Sequence, residues 1–371
     1  MRAGGKIKWP VYAILCFVPL SALADAGTPL MWAGMLHLVF GNALIGIGEG
    51  MLLAFLFHLK RWKCILAMIA ANYFSAWVGD VFVLGYALKS PEPDLYQAWR
   101  WVWIMIAVTF IVTCILEWPF VFFCLRKSDN RFKKSLWGNT LVQFVSYLLL
   151  FGWYWSASGK SLYTQMHVVK PFRFECPANA ILYFISTTDG DVYSARLPDG
   201  KPQKVHSLNS TNEDDRLFLR ESGSGQFEIY ARLETGNYTN PAVEIMASNQ
   251  VATAAIPEHD QQQALHEIPG TWAPQWNVPR IGNASNSPWE FHTGFWAIEG
   301  LHGENNKTGE KLYLTFETPF AQWNVRNAYH LPGDCVVFQL GRSQICILDV
   351  ATRRVALLTK GRGPVVMLVG K

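Results

Sequence analysis

Residues 99–125 read WRWVWIMIAVTFIVTCILEWPFVFFCL. After Arg100 the stretch holds a single charge, Glu117. A helix crossing a ~30 Å hydrocarbon core needs about 20 apolar residues. A surface helix of a soluble domain would instead show one polar face. Three other stretches, 31–59, 64–88 and 137–157, are similarly apolar. Four membrane-spanning helices are therefore expected, within a domain at 25–159. The loops between them are short, and backbone groups in hydrocarbon must pair internally, so a compact α-helical bundle follows.

Ahead of the first span, Arg2, Lys6 and Lys8 precede an apolar run from Trp9 to Leu23. Ala22-Leu23-Ala24 offers small residues two apart before Asp25. This pattern is expected of a secretory signal peptide over 1–24.

Charge divides the chain. Residues 1–159 hold 13 Lys and Arg against 7 Asp and Glu, and residues 160–371 hold 19 against 21. The second half therefore has no basic excess for nucleic acid. Within the first half, the positive loops are 60–63 and 126–136, whereas 89–98 has Lys89 against Glu92 and Asp94. Positive loops stay cytoplasmic. The expectation is an inner-membrane protein whose C-terminal half lies outside the cytoplasm.

Six polar residues fall inside the expected spans: Asn42, Glu49, Asn72, Asp80, Glu117 and Gln143. Charged groups in hydrocarbon cost about 2.5–3.5 kcal/mol each and seek a partner or a cavity. Counted from the span midpoints, Glu49, Asn72, Glu117 and Gln143 share one depth. Asn42 and Asp80 lie toward the outer side. Two roles are open: hydrogen-bonding glue between helices, or a proton or cation site built on Glu49 and Glu117. Gly46 and Gly50, four apart, permit close helix contact. Pro119 is expected to kink its helix.

From residue 160 the pattern becomes short strands separated by turns, expected at 181–185, 192–197, 216–220, 227–233, 335–340, 345–350, 355–359 and 365–369. Regular short strands with turn signals suggest a β-sandwich or a propeller. Leu182-Tyr183-Phe184, Gly190-Asp191-Val192-Tyr193 and Leu197-Pro198-Asp199-Gly200 resemble a blade of the TolB and YWTD type of β-propeller, and 335–360 resembles a closing blade. The resemblance implies a propeller-like extracytoplasmic all-β domain at 160–371, with β-sandwich as the alternative. Propellers join their two ends, which implies a disulfide from Cys176 to Cys335 or Cys346.

No Gly-x-Ser-x-Gly elbow, HExxH pair or phosphate loop occurs in the sequence. Glu258-His259-Asp260 and His266-Glu267 read as solvated surface rather than metal ligands, and neither metal nor cofactor is expected. Trp272, Trp276, Trp289 and Trp296 are candidates for a partner surface, since large aromatics anchor interfaces. The expected function is non-enzymatic: a membrane-anchored β module that binds a protein partner as scaffold, assembly factor or sensor. The alternative is a small transporter or channel component using Glu49 and Glu117.

Overall fold

A computed structural model describes residues 28–87, 92–159, 161–162, 165–174, 177, 179–223, 225–233, 242–252, 255, 278–294 and 299–369. The expected signal peptide, Cys176, Trp272, Trp276, Trp296 and the two His-acid clusters at 258–267 lie outside these residues.

The N-terminal part is helical. Helix α1 covers Pro29–Phe57 and contains a π-helical turn at His37–Gly41. Helices α2 (Arg61–Ala87), α3 (Ala98–Cys124) and α4 (Arg131–Ala157) follow. By length and composition, α1 and α3 are apolar enough to cross a membrane. Thr28 caps α1 by accepting from the Met31 amide, and Pro29 sits in the first turn, where its missing N–H is harmless. Helix α3 continues through Pro119.

The helices pack with polarity reversed from that of a water-soluble protein. Glu49, Asn72, Ser75, Glu117, Ser135, Asn139, Gln143 and Ser146 are buried. Phe40, Phe55, Leu66, Val81, Ile115 and Leu149 are exposed. Gly46 and Gly50 let α1 lie directly on the α2 backbone. A Cβ at Gly46 would sit 2.6 Å from Ile69 Cα, and one at Gly50 would sit 2.5 Å from Ile65 Cα. The glycine spacing is thus a packing device.

The C-terminal part is a curled antiparallel sheet, half-way to a barrel. Its order is β13 (Val325–Leu331), β14 (Cys335–Leu340), β15 (Gln344–Asp349), β16 (Arg354–Leu368), β2 (Ala180–Ser186), β3 (Val192–Arg196) and β4 (Gln203–His206). A short β1 (His167–Val168) pairs in parallel with β16. The strands expected at 355–359 and 365–369 are one strand, β16, which pairs with β15 over its first half and with β2 over its second. Gly361, Gly363 and Pro364 look like a turn in sequence. Here they form an irregularity between Arg362 and Val365, with Gly363 at φ +53°, where the strand bends from one sheet half to the other.

Two cores flank this sheet. On one face, β5 (Arg216–Gly223), β6 (Gln226–Leu233) and β7 (Ala242–Val251) form a second sheet. Leu219, Ile229 and Ala231 pack there against Leu182, Phe184, Val337 and Ile347. On the other face, β8 (Trp289–Thr293), β9 (Leu301–Asn305) and β10 (Lys311–Leu314) contribute Phe291, Leu301 and Leu314 to a core with Val336, Phe338, Cys346 and Leu348. A small hairpin, β11 (Glu317–Thr318) with β12 (Ala321–Gln322), lies beside it.

Candidate functional site

Four of the six polar residues singled out in the expected spans meet in two hydrogen-bonded clusters. Glu49 of α1 accepts from Asn72 Nδ2 of α2 at 2.5 Å and from Ser146 Oγ of α4 at 2.5 Å. Glu117 of α3 accepts from Ser75 Oγ of α2 and from Gln143 Nε2 of α4, both at 2.6 Å. Gln143 lies within reach of Glu49 as well. Every oxygen of the two carboxyls thus faces a neutral donor, and the network ties all four helices. Ser75 and Ser146 carry no distinctive sequence signal beyond being three residues after Asn72 and Gln143, on the same helix faces. Asn42 stands apart, donating to Leu38 O of its own helix at 3.2 Å. Asp80 belongs to α2, and its side chain lies outside the described residues.

One turn along α4 from Gln143, Asn139 donates to Cys114 O of α3 at 2.8 Å. Trp118 Nε1 donates to Ser135 Oγ at 3.0 Å, extending the polar seam between α3 and α4.

A second assembly of polar contacts joins the two parts of the chain. The loop between α2 and α3 inserts into the β part. Leu95 is buried in the core beside Phe316 and Phe338, and Ala98 joins it. The Leu95 amide donates to Gln344 Oε1 at 2.7 Å, and Gln344 Nε2 donates back to Pro93 O at 3.4 Å. Trp323 Nε1 donates to the same Pro93 oxygen at 3.1 Å. Glu92 accepts from the Arg342 amide at 2.9 Å, and burial pushes its carboxyl above the usual range. Gly341 in this turn has φ +61°, and a Cβ there would overlap the Glu92 carboxylate. Only glycine meets both demands.

The ends of α1 and α4 add to the same joint. Thr28 Oγ1 donates to the buried carboxylate of Glu317 at 2.6 Å, and the Leu162 amide donates to Thr315 O at 2.8 Å. Burial also pushes Glu317 up.

Of the aromatic candidates for a partner surface, Trp289 is half-buried, stacked on Phe291 at 5.8 Å against the second core. Trp323 is fully buried and serves the loop joint. Cys335 and Cys346 lie in opposite cores of the main sheet. Among the described residues no group of His, Cys, Asp and Glu is arranged to hold a metal ion. No protein-family model matches the chain, and no curated protein matches it either.

Proposed function

We propose that the protein is a membrane-embedded scaffold: a four-helix bundle that holds a β platform fixed against one face of the membrane for a protein partner. All four helices span the bilayer in this reading. Its support is the reversed polarity of the bundle, with Glu49, Asn72, Glu117 and Gln143 inside and Phe, Leu, Ile and Val outside. An exposed apolar belt on every helix suits lipid and would aggregate in water. The β platform meets the end of the bundle that holds Thr28, residues 92–98 and Ser158. The cationic segments 60–63 and 126–136 lie at the other end, where Leu59, Cys64, Cys124 and Leu125 pack together. Positive loops favour the cytoplasm, which puts the platform outside it.

The observation that carries the scaffold reading is the inserted loop 92–98. A transporter that rocks its helices needs slack between moving parts. Here Leu95 and Ala98 of a helix–helix connection are buried in the platform's own core, and every oxygen of the two carboxyls is held by a donor from another helix. The continuous sheet through β16 favours a half-barrel platform.

The transporter reading also has one observation behind it. Glu49 and Glu117 lie on facing helices with Gln143 between them, and no cation balances them among the described residues. The test combines two measurements on the full-length chain. Cross-linking and co-purification from native membranes should recover a defined partner, and recovery should survive Glu49→Gln with Glu117→Gln. Proton or cation flux in liposomes that is abolished by the same double variant would overturn the scaffold reading.

A further inference from the structure

The end of the bundle away from the β platform has a chemistry that orientation alone does not require. Residues 58–64 and 125–135 together hold eight Lys and Arg against one acid, Asp129. Four of these cations are gathered in one place. The turn joining α3 to α4 folds into an open pocket lined by Arg126, Lys127, Arg131 and Lys133, with Ser128, Asn130 and the single acid Asp129 between them, so cations outnumber the acid four to one. None of the four pairs with a carboxylate among the described residues.

The two guanidinium groups are held in place by rings. Arg126 lies 4.9 Å over Phe123, and Arg131 lies 5.0 Å over Phe122. A guanidinium fixed in this way loses little freedom on binding, and its planar fork matches a phosphate. Helix α4 also begins here without a side-chain cap. Its first free amides add donors facing an anion, secondary to the cations.

Apolar side chains decide what kind of phosphate fits. Phe132 lines the pocket and is 59% exposed, and Phe123 and Trp137 nearby are 62% and 73% exposed. A site for a free anion in water has no use for such a skirt. A lipid presents a phosphate and two acyl chains together, and aromatic side chains favour the level of the headgroups.

We infer that this turn and the first turn of α4 bind the headgroup of an anionic phospholipid, with Arg126 and Arg131 on the phosphate and Phe123, Phe132 and Trp137 against the chains. This rests on the membrane reading above. The site would fix the tilt and depth of α3 and α4, the two helices whose polar seam includes Glu117, Asn139 and Gln143.

The experiment uses the full-length chain in neutral detergent micelles doped with phosphatidylglycerol, phosphatidylcholine or inorganic phosphate, read by native mass spectrometry. Phosphatidylglycerol should be retained in preference to phosphatidylcholine. Arg126→Gln with Arg131→Gln should weaken retention roughly tenfold or more, Arg126→Lys with Arg131→Lys should restore part of it, and Lys201→Gln on the β platform should change nothing. Equal retention of both lipids, or full retention by the double Gln variant, overturns the inference. Displacement by equimolar inorganic phosphate overturns the commitment to lipid. Alkaline carbonate extraction separates the two levels. A chain released from membranes refutes the membrane reading itself, whereas a retained chain without lipid preference refutes this inference alone.

Discussion

The Leu95 amide and the Gln344 side-chain oxygen, 249 positions apart in sequence, meet at 2.7 Å at the joint between the helices and the β platform. Leu95 is also fully buried. The two parts therefore share a core. Leu95→Ala should destabilise the full-length protein by about 3 kcal/mol through lost burial and the cavity left behind. Gln344→Ala should remove the loop's clamp and leave the Leu95 amide without its partner, at about 1–3 kcal/mol. A fragment beginning at residue 171 lacks Leu95, Ala98, Leu162 and Met166 of that core. It should be less stable than the same fold in the intact chain, as thermal unfolding of both would reveal.

The carboxyl network gives a graded expectation. Glu49→Gln keeps one acceptor for Asn72 and points its amide at the Ser146 hydroxyl, which can turn to accept. Glu49→Leu leaves the Ser146 hydroxyl and one N–H of the Asn72 amide, whose nitrogen also donates to Met68 O, without a partner, each at about 1–3 kcal/mol. The Leu variant should therefore lose clearly more thermal stability in detergent than the Gln variant. The same order should hold for Glu117, where the donors are Ser75 and Gln143. Equal losses would mean that the hydrogen bonds contribute nothing.

Three glycines of α1 provide an internal control. Gly46 and Gly50 abut the α2 backbone, while nothing lies within 4 Å of a Cβ at Gly48. Gly46→Ala and Gly50→Ala must push α1 and α2 apart. Gly48→Ala should be neutral or mildly stabilising, since Ala is favoured over Gly in a helix by about 1 kcal/mol. Protease resistance of the helical bundle will rank the three.

These sites differ in how far the sequence exposes them. Apolar length is a signal that packing does not override, so the stretch 99–125 anticipates Ala98–Cys124 closely. Depth counting brings Glu49 to Asn72 and Glu117 to Gln143, because helices of similar length packed side by side share a ruler. Ser75 and Ser146 stay hidden, since serine is common in helices and only its partners make it matter. The inserted loop is hidden for another reason. In Glu92-Pro93-Asp94-Leu95-Tyr96-Gln97, nothing but Leu95 separates a buried plug from a solvated turn. Its partners Trp323 and Gln344 come more than 200 residues later. The continuity of β16 is masked by glycine and proline, which read as turn residues and serve here as a bend.

His330 should give the β platform an acid limit. Its side chain is wholly buried on β13, with Nε2 3.1 Å from Asp334 Oδ1 and its ring edge-on to Phe291. Asp334 in turn accepts from Ser287 Oγ, and Arg280 is the nearby cation. Burial pulls the imidazole below its ordinary 6.5, outweighing the opposite pull of Asp334. The unfolded chain therefore takes up the proton first as pH falls. Stability from this group is full above 6.5 and declines as pH drops from there toward the lower folded value. The thermal midpoint, followed by strand circular dichroism, should fall over that window. His330→Gln, which keeps a donor for Asp334, should flatten the dependence. A wild-type profile unchanged by the substitution would assign the acid sensitivity elsewhere.

The thiols allow a choice that the sequence leaves open. Cys335 and Cys346 are both free, buried thiols in the structure, and the Cys346 side chain on β15 joins the core containing Phe338 and Leu348. Burial pushes it well above the ordinary thiol range, so it is a poor thiolate. Cys335, at the start of β14, lies in the opposite core, the one that also takes Phe174. Phe174, two residues before Cys176 in sequence, packs in the same core as Cys335. We therefore expect a disulfide from Cys176, if formed in an oxidising compartment, to run to Cys335. Non-reducing peptide mapping of the full-length protein should find Cys176 joined to Cys335. Cys346→Ser should leave that bridge intact, and Cys335→Ser should abolish it. Cys346 should resist maleimide until the protein is denatured. A Cys176–Cys346 peptide would require β15 to turn its face, a one-residue slip that would carry Ile345 and Ile347 out of their core as well.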